Sequence, residues 1–103
     1  MRVAWTEHAY AQLDEAMAFI ARDKPQVAAE WLDRILDSAT DLADFPDLGR
    51  VVPEAARKDI RELIISPYRL IYRRDPDSVT VTMVLHERRV LDEDATIARD
   101  GQT

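Results

Sequence analysis

The chain of 103 residues contains no cysteine, which removes disulfide frameworks, thiolate metal sites and cysteine nucleophiles at once. Glycine is nearly as scarce, with only Gly49 and Gly101, so no glycine-rich loop is available to cradle a phosphate. No apolar run approaches the ~20 residues that a membrane-spanning helix needs. Arg2 and Glu7 punctuate an N-terminus that has no long apolar stretch of a secretory signal. A reducing, cytoplasmic setting without membrane contact is the expectation. No HExxH, Ser-His-Asp or paired metal-ligand spacing stands out either, so neither a metal nor a cofactor is expected. Basic residues are the minority, with Lys plus Arg 14 against Asp plus Glu 20 and a net charge of −6. Taken whole, that opposes direct nucleic-acid binding, whose strength comes from clustered Lys and Arg.

The distribution of charge says more than its sum. Residues 1–48 carry four basic and ten acidic side chains, residues 49–91 nine basic and six acidic, and residues 92–103 one basic and four acidic. An arginine-rich middle therefore sits between acidic flanks. Both regions can simply solvate their outer faces; alternatively the middle meets an anionic partner.

Five prolines divide the chain. Met1–Trp5 alternates as a short strand and ends at Thr6, a helix-capping residue followed by an acidic first turn. Tyr10, Leu13, Met17 and Ile20, with Ala9 and Ala16, form one apolar stripe at helical spacing. Pro25 suits the first turn of a second helix of about 20 residues, lined by Ala28, Trp31, Leu32, Ile35, Ala39 and Leu42. The brief Arg22–Lys24 link folds the two into an antiparallel hairpin. Pro46 ends the second helix, and Gly49 is expected to supply a permissive turn conformation. Periodicity then changes to that of strands in Ile60–Ile65, Tyr68–Arg74 and Val79–Arg89, separated by Ser66–Pro67 and Asp75–Ser78. In the last strand, strict alternation puts Val79, Val81, Met83 and Leu85 on one face and Thr80, Thr82, Val84 and His86 on the other. The first face is apolar and the second mixed, so the hairpin is expected to cover the first. The fold class is α+β, an N-terminal strand and two-helix hairpin against a small, mainly antiparallel sheet, in one domain over residues 1–91. Residues 92–103 form an acidic polar tail.

Chemistry has few candidates. His8 falls in the first turn of a helix and reads as a surface or half-buried histidine. His86 lies near the end of the last strand, followed by Glu87, Arg88 and Arg89 and sharing a strand face with Arg88, with Tyr68, Tyr72, Arg61 and Arg69 on the neighbouring strands. A histidine among guanidiniums can serve phosphodiester cleavage by acid–base catalysis and charge stabilisation. The same arginines can pair with the carboxylates of a protein partner. No second imidazole or lysine base accompanies His86. Trp5 and Trp31 belong to the apolar pattern and read as core.

Four segments in order, Phe45–Arg50, Arg61–Glu62–Leu63, Tyr68–Arg73 and Leu85–Arg89, resemble the toxins of the RelE/ParE superfamily of bacterial type II toxin–antitoxin systems. The likeness runs from Val3 to Arg89 and includes Trp5–Thr6 and the Lys24–Pro25 link. It implies that the N-terminal strand joins the same sheet. Members of the superfamily have two kinds of target. RelE-like members cut messenger RNA on the ribosome with basic residues of the central strands; ParE-like members inhibit DNA gyrase. Glu62, Leu63 and Ile64 occupy positions where the nucleases carry cations, and neither a carboxylate nor an apolar chain stabilises a phosphoryl transition state. The resemblance is thus closer to the ParE branch, with gyrase as target and a cognate antitoxin as partner, its acidic, amphipathic segment meeting the toxin. Arg50, Arg61, Tyr68, Arg69, Tyr72, Arg88 and Arg89 are the expected antitoxin or target contacts. A nuclease reading would rest on His86, Arg88, Arg89 and Arg69, and a third alternative is an inactive relic that only binds its partner.

Overall fold

Thr6 decides where the first strand stops and the first helix starts. Its backbone is extended, with φ −74° and ψ 157°, and its hydroxyl accepts the Ala9 N–H at 2.9 Å. That capping bond closes β1 (Arg2–Trp5) and opens α1 (Glu7–Ala21), with Glu7 in the favourable first turn. In this computed structural model residues 1–91 are described, and the expected acidic tail at 92–103 lies outside the described residues. After a three-residue link, Pro25 occupies the first position of α2 (Pro25–Asp44), where its missing N–H costs nothing.

Both helices bury the stripes read from their spacing. Ala9, Leu13 and Ala16 of α1, and Ala28, Trp31, Ile35, Ala39 and Leu42 of α2, are buried, while Met17, Ile20 and Leu32 pack at the margin. Trp31 fastens α2 to the sheet, since its Nε1–H donates to the Ile65 carbonyl at 2.9 Å. Tyr10 departs from its stripe. It is 53% exposed, and its ring stacks on Trp5 with centroids 5.4 Å apart, so the pair covers the end of β1 from outside. No helix among the described residues is long and apolar enough to cross a membrane.

The remaining strands are β2 (Arg50–Val51), β3 (Ile60–Ile65), β4 (Tyr68–Arg74) and β5 (Ser78–His86), and the sheet order is β1-β5-β4-β3-β2. β3, β4 and β5 form the expected antiparallel meander. The turn before β5 closes with Asp75 N–H donating to the Ser78 carbonyl at 2.9 Å. β1 joins the same sheet, as the family resemblance implied, and lies parallel to β5, from Arg2 opposite Ser78 to Trp5 opposite Val81. The two-residue β2 is too short to show any period, and it pairs with β3 through Arg50 opposite Glu62.

One expectation is overturned in β5. Ile71 lies opposite Met83 while the next residue, Tyr72, lies opposite Val81, so Thr82 is an extra residue in a β-bulge. A bulge inverts the alternation beyond it. Val79, Val81 and Val84 therefore face the helices, and Met83 and Leu85 face the other way. Thr82 is fully buried at the bulge, its hydroxyl donating to the Ile71 carbonyl at 3.4 Å. The second face is consequently apolar, where a mixed face was expected. Val52 and Ala55, from the segment between β2 and β3, cover it together with Leu91, packing on Ile60, Ile71, Met83 and Leu85.

Gly49 is required for a reason other than turn conformation, since no glycine among the described residues has positive φ. A Cβ there would lie 2.5 Å from the Glu62 carbonyl oxygen and 2.8 Å from a ring carbon of Tyr72. The Tyr72 hydroxyl accepts the Gly49 N–H at 2.9 Å and donates to the Pro46 carbonyl at 2.8 Å. Close approach to buried backbone and ring is what only glycine permits here. Gly49→Ala should destabilise the protein by about 1–3 kcal/mol, measured by urea unfolding, and an unchanged midpoint would contradict this packing.

Candidate functional site

Alternation in β3 and β4 carries Glu62 and Arg69 to the second face of the sheet, away from the helices. Glu62 is 1% exposed, and a buried carboxylate persists only with cations beside it. Arg69 Nε donates to one of its oxygens and Arg50 Nε to the other, each at 2.6 Å. Arg69 is itself 5% exposed. Its two terminal nitrogens grip both oxygens of Glu54 at 2.9 and 3.1 Å, and Nη1 also donates to the Arg89 carbonyl at 2.8 Å. Glu54 further accepts the Leu91 N–H at 3.0 Å. The Arg69 hydrogen bonds, outweighing desolvation and aided by the Leu91 N–H, hold the Glu54 carboxyl down at about 2.

Other arginines of the middle segment are engaged locally. Arg61, on the helix side of β3, donates to the Gly49 carbonyl at 2.8 Å and lies 3.6 Å from the Asp47 carboxylate. Arg74 donates to Asp47 Oδ1 at 2.9 Å. Arg57 pairs with Asp59 at 2.6 Å, and Arg73 with Asp75 at 3.0 Å. With the Tyr72 hydroxyl, Arg61 and Arg74 brace the Pro46–Gly49 turn. Arg50 differs because its side chain, though paired with Glu62, is 66% exposed.

At the far end of β5, His86 stands directly opposite Tyr68, with the rings edge-on at 5.5 Å. The Arg88 N–H donates to His86 Nδ1 at 3.2 Å, and the Arg89 N–H to the His86 carbonyl at 2.9 Å. β5 ends at His86, so Arg88 belongs to the following turn and not to a strand face. His86, Tyr68 and Arg89 line a groove of about 260 Å³ against Gln12, Glu15 and Phe19 of α1. Burial pushes the Tyr68 phenol above its ordinary range.

The four residues of the nuclease expectation are thus divided. His86, Arg88 and Arg89 are contiguous at the end of β5, whereas Arg69 lies on the opposite face with its guanidinium bonded to two carboxylates and a carbonyl. Tyr72 lies along β4 from the groove, its hydroxyl committed to the Pro46–Gly49 turn. Glu54 was not singled out by sequence; nothing in its periodicity marks it, and only the fold brings it to Arg69.

Two outcomes follow from this cluster. Arg69→Met should cost about 3–5 kcal/mol by leaving Glu62 without its buried cation, and the double variant with Glu62→Leu should recover much of that loss in the same denaturation measurement. Glu54→Gln should cost about 1–3 kcal/mol at neutral pH. Because the folded carboxyl sits near 2 and the ordinary value is 4.5, its contribution is complete above pH 4.5 and fades as pH falls towards 2. The stability gap between wild type and Glu54→Gln should therefore close over that window; a gap independent of pH would refute the assignment.

Comparison with known proteins bears on the whole arrangement. A solved chain from a chromosomal ParDE toxin–antitoxin system of P. aeruginosa superposes with a TM-score of 0.69 at 19% identity, covering 84% of this chain and 95% of that one. A putative toxin of Sinorhizobium fredii, Y4kP, is 37% identical over 87 residues, 82% of this chain and 86% of the relative. The toxin RelE2 of Caulobacter vibrioides is 29% identical over 90 residues, 86% of this chain and 98% of the relative. The family model of the ParE toxin of type II toxin–antitoxin systems, parDE, matches residues 3–91. The chain belongs to that family, the ParE toxins of the RelE/ParE superfamily.

Proposed function

We propose that this toxin acts as a protein inhibitor of DNA gyrase, without nuclease chemistry, and that a cognate antitoxin neutralises it by covering the cationic end of the sheet. The observation that carries the reading is the state of Arg69. A phosphoryl-transfer site needs cations aimed at the developing charge and free to meet it. Here the central-strand cation is 5% exposed and faces two carboxylates of its own chain. Val52, Ala55 and Leu91 cover the same face. Adding a phosphate there would require breaking the core.

His86 with Arg88 and Arg89 is the alternative locus for cleavage, and it favours binding instead. Among the described residues no second imidazole or lysine lines the groove beside it. Arginines without an internal carboxylate suit a protein partner bearing acidic side chains. Arg88 and Arg89, which have no carboxylate partner among the described residues, are therefore the proposed contacts, with Tyr68 beside them and with Arg50, paired with Glu62 but 66% exposed. Arg61, Arg69 and Tyr72 serve the scaffold that presents them.

Purified toxin in a DNA supercoiling assay should inhibit gyrase, and inhibition should disappear when the antitoxin is added first. Supercoiling that runs unimpaired at large toxin excess would sink the gyrase reading. Primer extension on translated messenger should show no toxin-dependent cuts; cuts that vanish in His86→Ala would establish the nuclease reading in its place. If expression without antitoxin leaves growth unaffected, the chain is an inactive binding module.

A further inference from the structure

β5 ends at His86, and the chain leaves the sheet through a turn that His86 itself closes twice. Its carbonyl accepts the Arg89 N–H at 2.9 Å, as in a β-turn, and its Nδ1 accepts the Arg88 N–H at 3.2 Å. A side-chain acceptor that takes the N–H two residues on is the device by which Asn and Asp mimic a backbone turn. Here an imidazole supplies it. The turn is also pinned on both sides: the Glu87 N–H donates to the Pro67 carbonyl at 2.8 Å, the Arg89 carbonyl accepts from Arg69 Nη1 at 2.8 Å, and the Leu91 N–H donates to Glu54 at 3.0 Å. Between these anchors Arg88 and Arg89 are exposed, and neither has a carboxylate partner among the described residues. The carboxylate next to them in sequence, that of Glu87, accepts the Ser66 hydroxyl at 3.0 Å.

The bond at Nδ1 fixes the state of the ring. A peptide N–H can only donate, so Nδ1 must keep its lone pair and the proton of the neutral imidazole sits on Nε2. In that state Nε2 has no lone pair with which to take a proton. A cationic imidazole donates from both nitrogens and so loses the Arg88 bond. Each round of proton uptake and release would therefore break the turn. The orientation of the ring is set from the core, since His86 packs edge-on against Tyr68 with centroids 5.5 Å apart, and Tyr68 lies tilted against Trp31 at 5.2 Å. That stack limits how far the imidazole can rotate away from the Arg88 N–H.

We infer that His86 is a positioning residue: its Nδ1 shapes the turn at residues 86–89 and so fixes the direction of the Arg88 and Arg89 guanidiniums, and the ring takes no part in proton transfer. Guanidiniums held in one arrangement lose less conformational freedom on meeting an anionic group, so the turn adds affinity without touching the partner. That this affinity serves gyrase inhibition rests on the function proposed above; the role of Nδ1 in the turn does not.

Substitutions at His86 separate these roles. Asparagine can place an oxygen where Nδ1 stands, glutamine places it one bond further out, and leucine offers no acceptor. In mildly alkaline buffer the ¹⁵N shifts of the His86 ring should be those of the Nε2–H tautomer. Protection of the Arg88 amide from hydrogen exchange should persist in His86→Asn and drop by about three- to tenfold in His86→Gln and His86→Leu, as the loss of one neutral hydrogen bond implies. The toxin concentration that half-inhibits gyrase should follow the same order, near wild type in His86→Asn and raised in the other two. An Nδ1–H tautomer, an Arg88 amide equally protected in His86→Leu, or a His86→Gln variant indistinguishable from His86→Asn would overturn the inference. So would messenger cleavage by the wild type that His86→Asn abolishes, because the ring would then be moving protons. If the wild type leaves gyrase unimpaired, the proposed function falls, and the tautomer and exchange measurements still decide the role of His86.

Discussion

A carboxylate buried to 1% exposure has to be answered by cations, and in this protein the answer organises half the molecule. Glu62 draws Arg69 inward from β4 and Arg50 from β2. Arg69, once buried, needs its remaining donors met, and it finds Glu54 on the segment between β2 and β3 and the Arg89 carbonyl beyond β5. Glu54 in turn holds the Leu91 N–H. One polar chain of bonds thereby ties the two segments that seal the second face of the sheet. Buried ion pairs seldom add much net stability, since desolvation of both partners offsets their attraction. What this one supplies is specificity of arrangement: the covering segments have one place where all their polar groups are satisfied.

The bulge at Thr82 is the apolar counterpart of that arrangement. A regular β5 would send Val79, Val81, Met83 and Leu85 together to the helices and leave Thr80, Thr82, Val84 and His86 to face Ile60 and Ile71 on the other side. One extra residue divides them between the two clusters, Val79 and Val81 under α1 and α2, Met83 and Leu85 under Val52, Ala55 and Leu91. Both faces of a small sheet are then buried. The consequence for function is indirect but firm, because the face that carries Arg69 becomes interior.

The helices were legible in the sequence because their signals are local. Thr6 caps α1, Pro25 starts α2, and the stripes repeat every three or four residues, so packing only confirmed what spacing had stated. Tyr10 fell in the stripe by position but stacks outside on Trp5, a contact between a helix and the strand before it that helical spacing does not encode. The N-terminal strand and the three strands of the meander were equally visible, but the two-residue β2 and the bulge were not: Thr82 looks like any other residue of an alternating strand, and only the pairing with β4 shows it to be extra. Glu62 was noticed as a missing cation, and its real role as the centre of an ion cluster depends on Glu54 and Arg50 from a segment with no period. Gly49 was read as a turn residue for its conformational freedom, whereas it has no positive φ and what requires it is the Glu62 carbonyl and Tyr72 ring pressed against it, a long-range contact that no local rule contains.

The charge pattern reads differently once geometry is added. An excess of arginine in residues 49–91 suggested a broad cationic surface on the sheet. Six of those guanidiniums meet carboxylates of the same chain, so most of the apparent patch is cancelled within the fold, and long-range attraction for an anionic surface weakens accordingly. A messenger RNA binder of this size would need many phosphate contacts made by free cations. A protein partner needs far fewer: a short row of carboxylates meeting two or three guanidiniums at a defined edge sets orientation and rejects wrong partners. Local cancellation elsewhere sets Arg88 and Arg89 apart, because among the described residues they, unlike the other six arginines of the segment, meet no carboxylate.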